Sequence, residues 1–73
     1  MKKFRVICIK RLEKNVDGKL ITAYPGSIWV LENSSYWAGE NVLTNENKPE
    51  WRITVSDYVY ELCFKPLVSK HEA

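Results

Sequence analysis

A catalytic centre needs a base, usually a nucleophile, and a dry cleft to hold them. This 73-residue chain offers few of those parts. Its one histidine, His71, stands in a polar C-terminal stretch where a solvated side chain is expected. Without a second histidine, a Cys–His or Ser–His–Asp arrangement would have to recruit it from there. The carboxylates are scattered singly, and Gly18, Gly26 and Gly39 stand alone, so no glycine-rich phosphate loop exists. Cys8 and Cys63 have no neighbouring Cys or His at ligand spacing, so no metal or other cofactor is expected. Two reduced, packed thiols are the expectation for this pair; a disulfide between the first and last strands is the alternative. These residues predict a protein that is not an enzyme.

Binding chemistry is better supplied. A core this small has no room at its centre for all of Trp29, Trp37 and Trp51. Trp29 is expected to be core. Trp37, beside Tyr36, is expected to be partly exposed, either covering one end of the fold or serving as a recognition platform, because Trp and Tyr are enriched in binding hot spots. With Lys10, Arg11, Lys14 and Arg52 nearby, the same aromatics would also suit stacked bases on a basic groove. Two functions of different class follow. The first is a protein-interaction module or homodimer that uses Ile7, Ile9, Tyr36 and Trp37. The second is a small barrel that binds single-stranded nucleic acid.

Size and charge bound both. The chain makes one domain, and a domain this short buries only roughly 60% of its unfolded surface. Hydrophobic content of 45% with 27% charged residues is ordinary for a folded protein. The net charge of +2 is unevenly spread: residues 1–19 carry seven bases and two acids, residues 20–73 four bases and seven acids. Pairing of the two parts across a sheet is the expected use of that asymmetry, since so small a total charge attracts phosphate only weakly. Met1-Lys2-Lys3 resembles the start of a signal peptide, but Arg5 interrupts the apolar run and Lys10-Arg11 follows it, so no signal peptide is expected. No apolar run exceeds four residues, which excludes a membrane-spanning helix. A cytoplasmic protein with no membrane partner is expected.

The elements that must position these residues are strands. Residues 3–11 are rich in Val and Ile and predict a first strand, with Phe4, Val6 and Cys8 on the core face and Ile7 and Ile9 needing cover from the C-terminal end or a second subunit. Asp17-Gly18 predicts a hairpin turn. The return strand spans 19–24, with Leu20, Thr22 and Tyr24 on one face and Ile21 and Ala23 on the other. After Pro25-Gly26 comes a strand over 27–32, apolar on both parities and so largely buried. Further strands are expected over 40–44 and 50–55, the latter with Trp51, Ile53 and Val55 on one face. Ser56-Asp57 opens a helical turn near residues 56–62, with Tyr58, Val59 and Leu62 toward the core. Residues 64–67 form a last short edge strand and 68–73 a flexible polar tail.

The order of these features resembles a Src-homology-3 barrel. Gly26-Ser27-Ile28-Trp29-Val30-Leu31-Glu32 is similar to that family's strand after its diverging turn. Tyr36-Trp37 stands where the family has a Trp pair, and Val55-Ser56-Asp57-Tyr58-Val59-Tyr60-Glu61-Leu62 is similar to its Pro-Ser-x-Tyr-Val helical turn. The resemblance covers residues 20–65. Of the family's peptide-groove residues, Trp37 and Tyr58 are matched, Val55 replaces a proline, and the first loop holds one acid, Asp17, among several lysines. The resemblance therefore implies the barrel rather than proline-rich ligands. Gly-x-Ile-Trp, Ser-Ser-Tyr and Trp-Arg-Ile are also similar to small proteins of bacteriophages and prophages of Gram-positive bacteria. Together these readings predict an all-β fold, a five- or six-stranded Src-homology-3-like barrel over residues 1–67. Its candidate binding residues are Tyr36, Trp37, Tyr58, Arg52, Lys10 and Arg11.

Overall fold

The computed structural model describes residues 3–32 and 40–67. Seven strands and one helix follow in order: β1 (Lys3–Cys8), β2 (Leu12–Val16), β3 (Lys19–Ala23), β4 (Ile28–Glu32), β5 (Glu40–Asn45), β6 (Arg52–Ser56), α1 (Asp57–Cys63) and β7 (Phe64–Pro66). Five strands form one antiparallel sheet in the order β6-β5-β4-β1-β7, and β2-β3 form a separate two-stranded sheet. The hydrogen-bonded ladders do not close into a barrel, and the strands among the described residues number seven rather than five or six. Among the described residues no helix is long and apolar enough to cross a membrane. Tyr36, Trp37, His71 and the expected tail lie outside the described residues.

The extra strand arises because the expected strand over 3–11 is interrupted. Beyond Cys8 the turn at Pro25-Gly26 takes over its backbone: the Cys8 N–H donates to the Ser27 carbonyl at 2.9 Å, and the Gly26 N–H donates to the Cys8 carbonyl at 2.7 Å. Gly26 has φ +95°, a conformation that glycine adopts without the usual Cβ penalty. The chain then leaves the five-stranded sheet and restarts as β2. At the hairpin tip Asp17 and Gly18 have φ +52° and +80°, the two positive values a type I′ turn requires. The Asn15 side-chain oxygen accepts from the Gly18 N–H and closes that turn.

One core joins the two sheets and the helix. Val6 and Cys8 enter it from β1, Ile21 and Ala23 from β3, Trp29 from β4, Leu43 from β5, and Ile53 and Val55 from β6. The expected core parity of β1 therefore holds at Val6 and Cys8 but fails at Phe4, which is half exposed. β4 is less buried than its all-apolar run suggests: Trp29 is fully enclosed, while Ile28, Val30 and Leu31 are only partly covered. Ile7 is flanked by Ile28 on β4 and Lys65 on β7, so the C-terminal strand supplies part of the cover expected for it, and Ile9 is exposed. Asn45 is the buried polar residue; its side-chain oxygen accepts from the N–H groups of Asn47 and Lys48 and shapes the β5–β6 turn.

The helix differs from expectation in its facing. Ser56 caps it as predicted, its hydroxyl accepting from the Val59 N–H. The core face, however, is Val59, Tyr60 and Cys63, not Tyr58, Val59 and Leu62. Tyr58 and Leu62 are four residues apart and share one stripe, and that stripe faces water. Phe64, entering β7 directly from the helix, decides the rotation. It lies edge-on to Trp29 at 6.2 Å and stacked on Tyr60 at 6.0 Å, so Tyr60 must turn inward.

Trp29→Ala should cost about 3–5 kcal/mol, a large part of the roughly 4–11 kcal/mol available to a domain of this size, so chemical denaturation should show a sharply lowered midpoint. Trp51→Ala, at a partly exposed site beneath Lys48, should cost about 1–2 kcal/mol and leave the fold intact. Ser56→Ala should cost about 1 kcal/mol and lower the melting temperature by about 4–8 °C in a thermal scan.

Candidate functional site

A groove runs between the tip of the β2–β3 hairpin and the β5–β6 side of the large sheet, enclosing about 530 Å³. That volume lies in the range of small ligand sites. Val16 and Ile21 from the hairpin and Val42 from β5 supply its apolar lining. Arg52 and Thr54 line it from β6 because the alternation of that strand sends Ile53 and Val55 into the core and their neighbours outward. Asp17 and Lys19 border it on the hairpin side, and Glu50 on the β5–β6 turn. The rim thus carries two positive and two negative side chains around an apolar floor. Arg52 is paired with Glu32 at 3.4 Å, a long contact on an exposed guanidinium that holds it only weakly.

Tyr36 and Trp37 lie outside the described residues, and the other four residues named from sequence are not brought to one site. Arg52 lines the groove. Arg11 pairs with Glu13 and sits over the Tyr24 ring at 6.0 Å. Lys10 is exposed beside it, its carbonyl accepting from the Cys8 thiol. Lys10 and Arg11 thus stand at the base of the hairpin, where Leu12 opposes Ala23, whereas Arg52 faces the tip. The five-residue strands between them span about 16 Å, so the three cations do not share a surface patch. Tyr58 is 74% exposed on α1 with its ring outward. Among the described residues a basic group lies over an aromatic ring at Arg11 and Tyr24 and at Lys48 and Trp51, and of these only Arg11 and Trp51 are among the residues that the sequence offers for stacking bases. The bidentate Arg5–Glu46 pair, at 2.8 and 3.1 Å, joins the basic first part of the chain to the acidic remainder as its charge distribution suggests.

The groove residues Val16, Lys19, Ile21, Val42, Glu50 and Thr54 went unnamed as site residues. Their one sequence signal is the period-2 alternation of β6, which sets Arg52 and Thr54 on the face away from the core. Which sheet edge the hairpin tip approaches depends on contacts distant in sequence.

Among the described residues two ionisable groups are displaced, both at the core rather than in the groove. Burial pushes the Cys8 thiol above its ordinary value of 9.0; the backbone at Lys10 opposes this, Cys63 adds to it, and the Ser27 hydroxyl opposes it. Burial likewise raises the Tyr60 phenol above its ordinary value of 10.0. Neither is placed as an acid or base toward a cleft. No protein-family model, curated protein or solved structure matches the chain.

Both displaced groups are acids held neutral by folding. The stability they contribute is complete below their unfolded values and is lost as pH rises through the folded ones. Denaturation midpoints should therefore be level from pH 7 to about 8.5 and fall above about pH 9. Cys8→Ala should flatten the first part of that fall and Tyr60→Phe the later part. A wild-type midpoint that stays level to pH 10.5 would contradict both placements.

Proposed function

We propose that this chain is a non-catalytic protein-interaction module of Src-homology-3-like type that binds an extended peptide segment of a partner protein in the groove between the hairpin tip and β6. Support for the type lies in the order of elements. A glycine-bearing turn precedes an apolar strand, two further strands, one short helix and a last strand, around a single core. The phage resemblance would make that partner a phage or host protein.

The observation that carries the binding reading is the composition of the groove: an apolar floor between rims that each carry one acid and one base. An apolar side chain flanked by charges of both signs complements it. Among the described residues β6 is also an edge strand, which offers its outer backbone groups to an added strand. An extended peptide uses both features, whereas a compact small molecule uses only the floor.

The nucleic-acid reading is favoured by one observation, the stacking of Arg11 on the exposed Tyr24. It fits the groove poorly, because Asp17 and Glu50 would face the phosphates. The two readings thus occupy opposite ends of the hairpin.

Peptides selected from a random displayed library should, when titrated into ¹⁵N-labelled protein, shift the amides of Ile21, Val42, Arg52 and Thr54. Val42→Glu should weaken binding at least about tenfold while circular dichroism stays unchanged. Peptide shifts confined to Arg11 and Tyr24, or self-association that displaces the peptide, would overturn the groove assignment. Salt-sensitive binding of oligothymidine with no peptide binding would replace it with the nucleic-acid reading.

A further inference from the structure

Cys8 and Cys63 are nucleophilic groups that the groove does not use, and the fold brings them together from opposite ends of the sequence. Both thiols are free, and both are buried in the same core, Cys8 1% and Cys63 6% exposed. Cys8 stands directly opposite Phe64 in the β1–β7 ladder, and the Ile9 N–H donates to the Cys63 carbonyl at 2.6 Å. Cys63, the last residue of α1 and next in the chain to Phe64, therefore lies diagonally across from Cys8 where β7 begins, with both side chains in the same core. Opposed Cα atoms in an antiparallel pair are about 4.5–5.5 Å apart and consecutive ones about 3.8 Å, which places the two cysteine Cα atoms about 6–6.5 Å apart. Disulfides bridge Cα separations of about 4.4–6.8 Å.

We propose that Cys8 and Cys63 are an oxidisable pair that forms an intramolecular disulfide by exchange with a small-molecule disulfide, locking β1 to the junction of α1 and β7. The first attack falls to Cys63. It is the more exposed of the two, and it ends a seven-residue helix next to a three-residue edge strand, so local opening of that corner reaches it. Its thiolate attacks one sulfur of the disulfide, forms a mixed disulfide and releases one thiol. The Cys8 thiolate then attacks the Cys63 sulfur and releases the second thiol. Two protein thiols lose two electrons and two protons in all, and one disulfide is reduced to two thiols.

The geometry also states what the reaction gives up. The Cys8 thiol donates to the Lys10 carbonyl at 3.1 Å and to the Ala23 carbonyl at 3.6 Å, and the bridge removes both contacts. Each is a weak sulfur hydrogen bond. Against them, the bridge spans the 55 positions from Cys8 to Cys63 and constrains most of the unfolded chain. Burial of Cys8 makes the second step slow, so the exchange should take hours rather than seconds.

The native protein, at low micromolar concentration, is equilibrated with graded ratios of oxidised to reduced glutathione. It is then alkylated in denaturant, weighed intact, mapped by peptide and melted. The expected product is a monomer lighter by two hydrogen atoms, with Cys8 and Cys63 in one linked peptide pair. Its melting temperature should rise by on the order of 10 °C and return on reduction. Cys8→Ala and Cys63→Ala should each show the same melting temperature with and without oxidant. Retention of both thiols, a mixed glutathione disulfide alone, a disulfide-linked dimer, or a linked monomer that melts no higher would each overturn the proposal.

Discussion

The fold depends on the satisfied burial of one indole. Trp29 is fully enclosed, and enclosing a side chain that size is worth about 4–6 kcal/mol of apolar area. That gain would be cut by about 1–3 kcal/mol if the indole N–H were left without a partner. The partner is the Ser27 hydroxyl at 2.9 Å, which in turn donates to the Tyr24 carbonyl at 2.6 Å. Ser27 reaches both because the Pro25-Gly26 turn folds the chain back over Tyr24. The same turn takes the last backbone groups of β1. A single corner thus satisfies the central tryptophan, ends the first strand and sends the chain out into the hairpin.

How much of this was legible follows from the range of each interaction. The Asp17-Gly18 turn, the Ser56 cap and the inward face of β6 are decided by residues within four positions of one another, and the sequence displays them openly. Trp29 was legible as core because it sits in the one four-residue apolar run between turn signals. The break after Cys8 was not legible, since Ser27 and Gly26 make it from some eighteen residues away. Nor was the rotation of α1, where helical spacing allowed either stripe inward and stacking of Tyr60 on Phe64 chose between them. Among the candidate site residues, alternation could find Arg52 but not the hairpin tip that faces it. Tyr36 and Trp37, the pair that looked most like a recognition platform, fall outside the described residues.

The same break accounts for the open sheet. A first strand that continued to Arg11 would carry its ladder directly into the hairpin. Once β1 ends at Cys8, the hairpin packs through buried Ile21 and Ala23, with partly buried Leu12 and Val16 beside them, and among the described residues it has its own two-stranded ladder and no backbone bonds to β6. The groove is the space left between that tip and the free β6 edge. An open edge invites unwanted strand pairing. Here its outward side chains are Arg52, Thr54 and Ser56, polar groups that discourage a random apolar strand while leaving the backbone exposed to a suitable one.

Apart from Ile21, which belongs to both, core and groove divide the energetic work. Among the described residues the core holds ten buried side chains, and two of them, Trp29 and Phe64, are joined with the partly buried Tyr60 by ring contacts that a change in any one would disturb. The groove residues contribute less: Val42 is only partly covered, while Arg52, Thr54, Lys19 and Glu50 are exposed. Substitutions there act near the surface, where single changes usually stay within about 0.5 kcal/mol. A domain with so thin a margin can vary the side chains of its groove only because its stability is held elsewhere. In this chain that place is the corner where Ser27 meets Trp29 and Cys8.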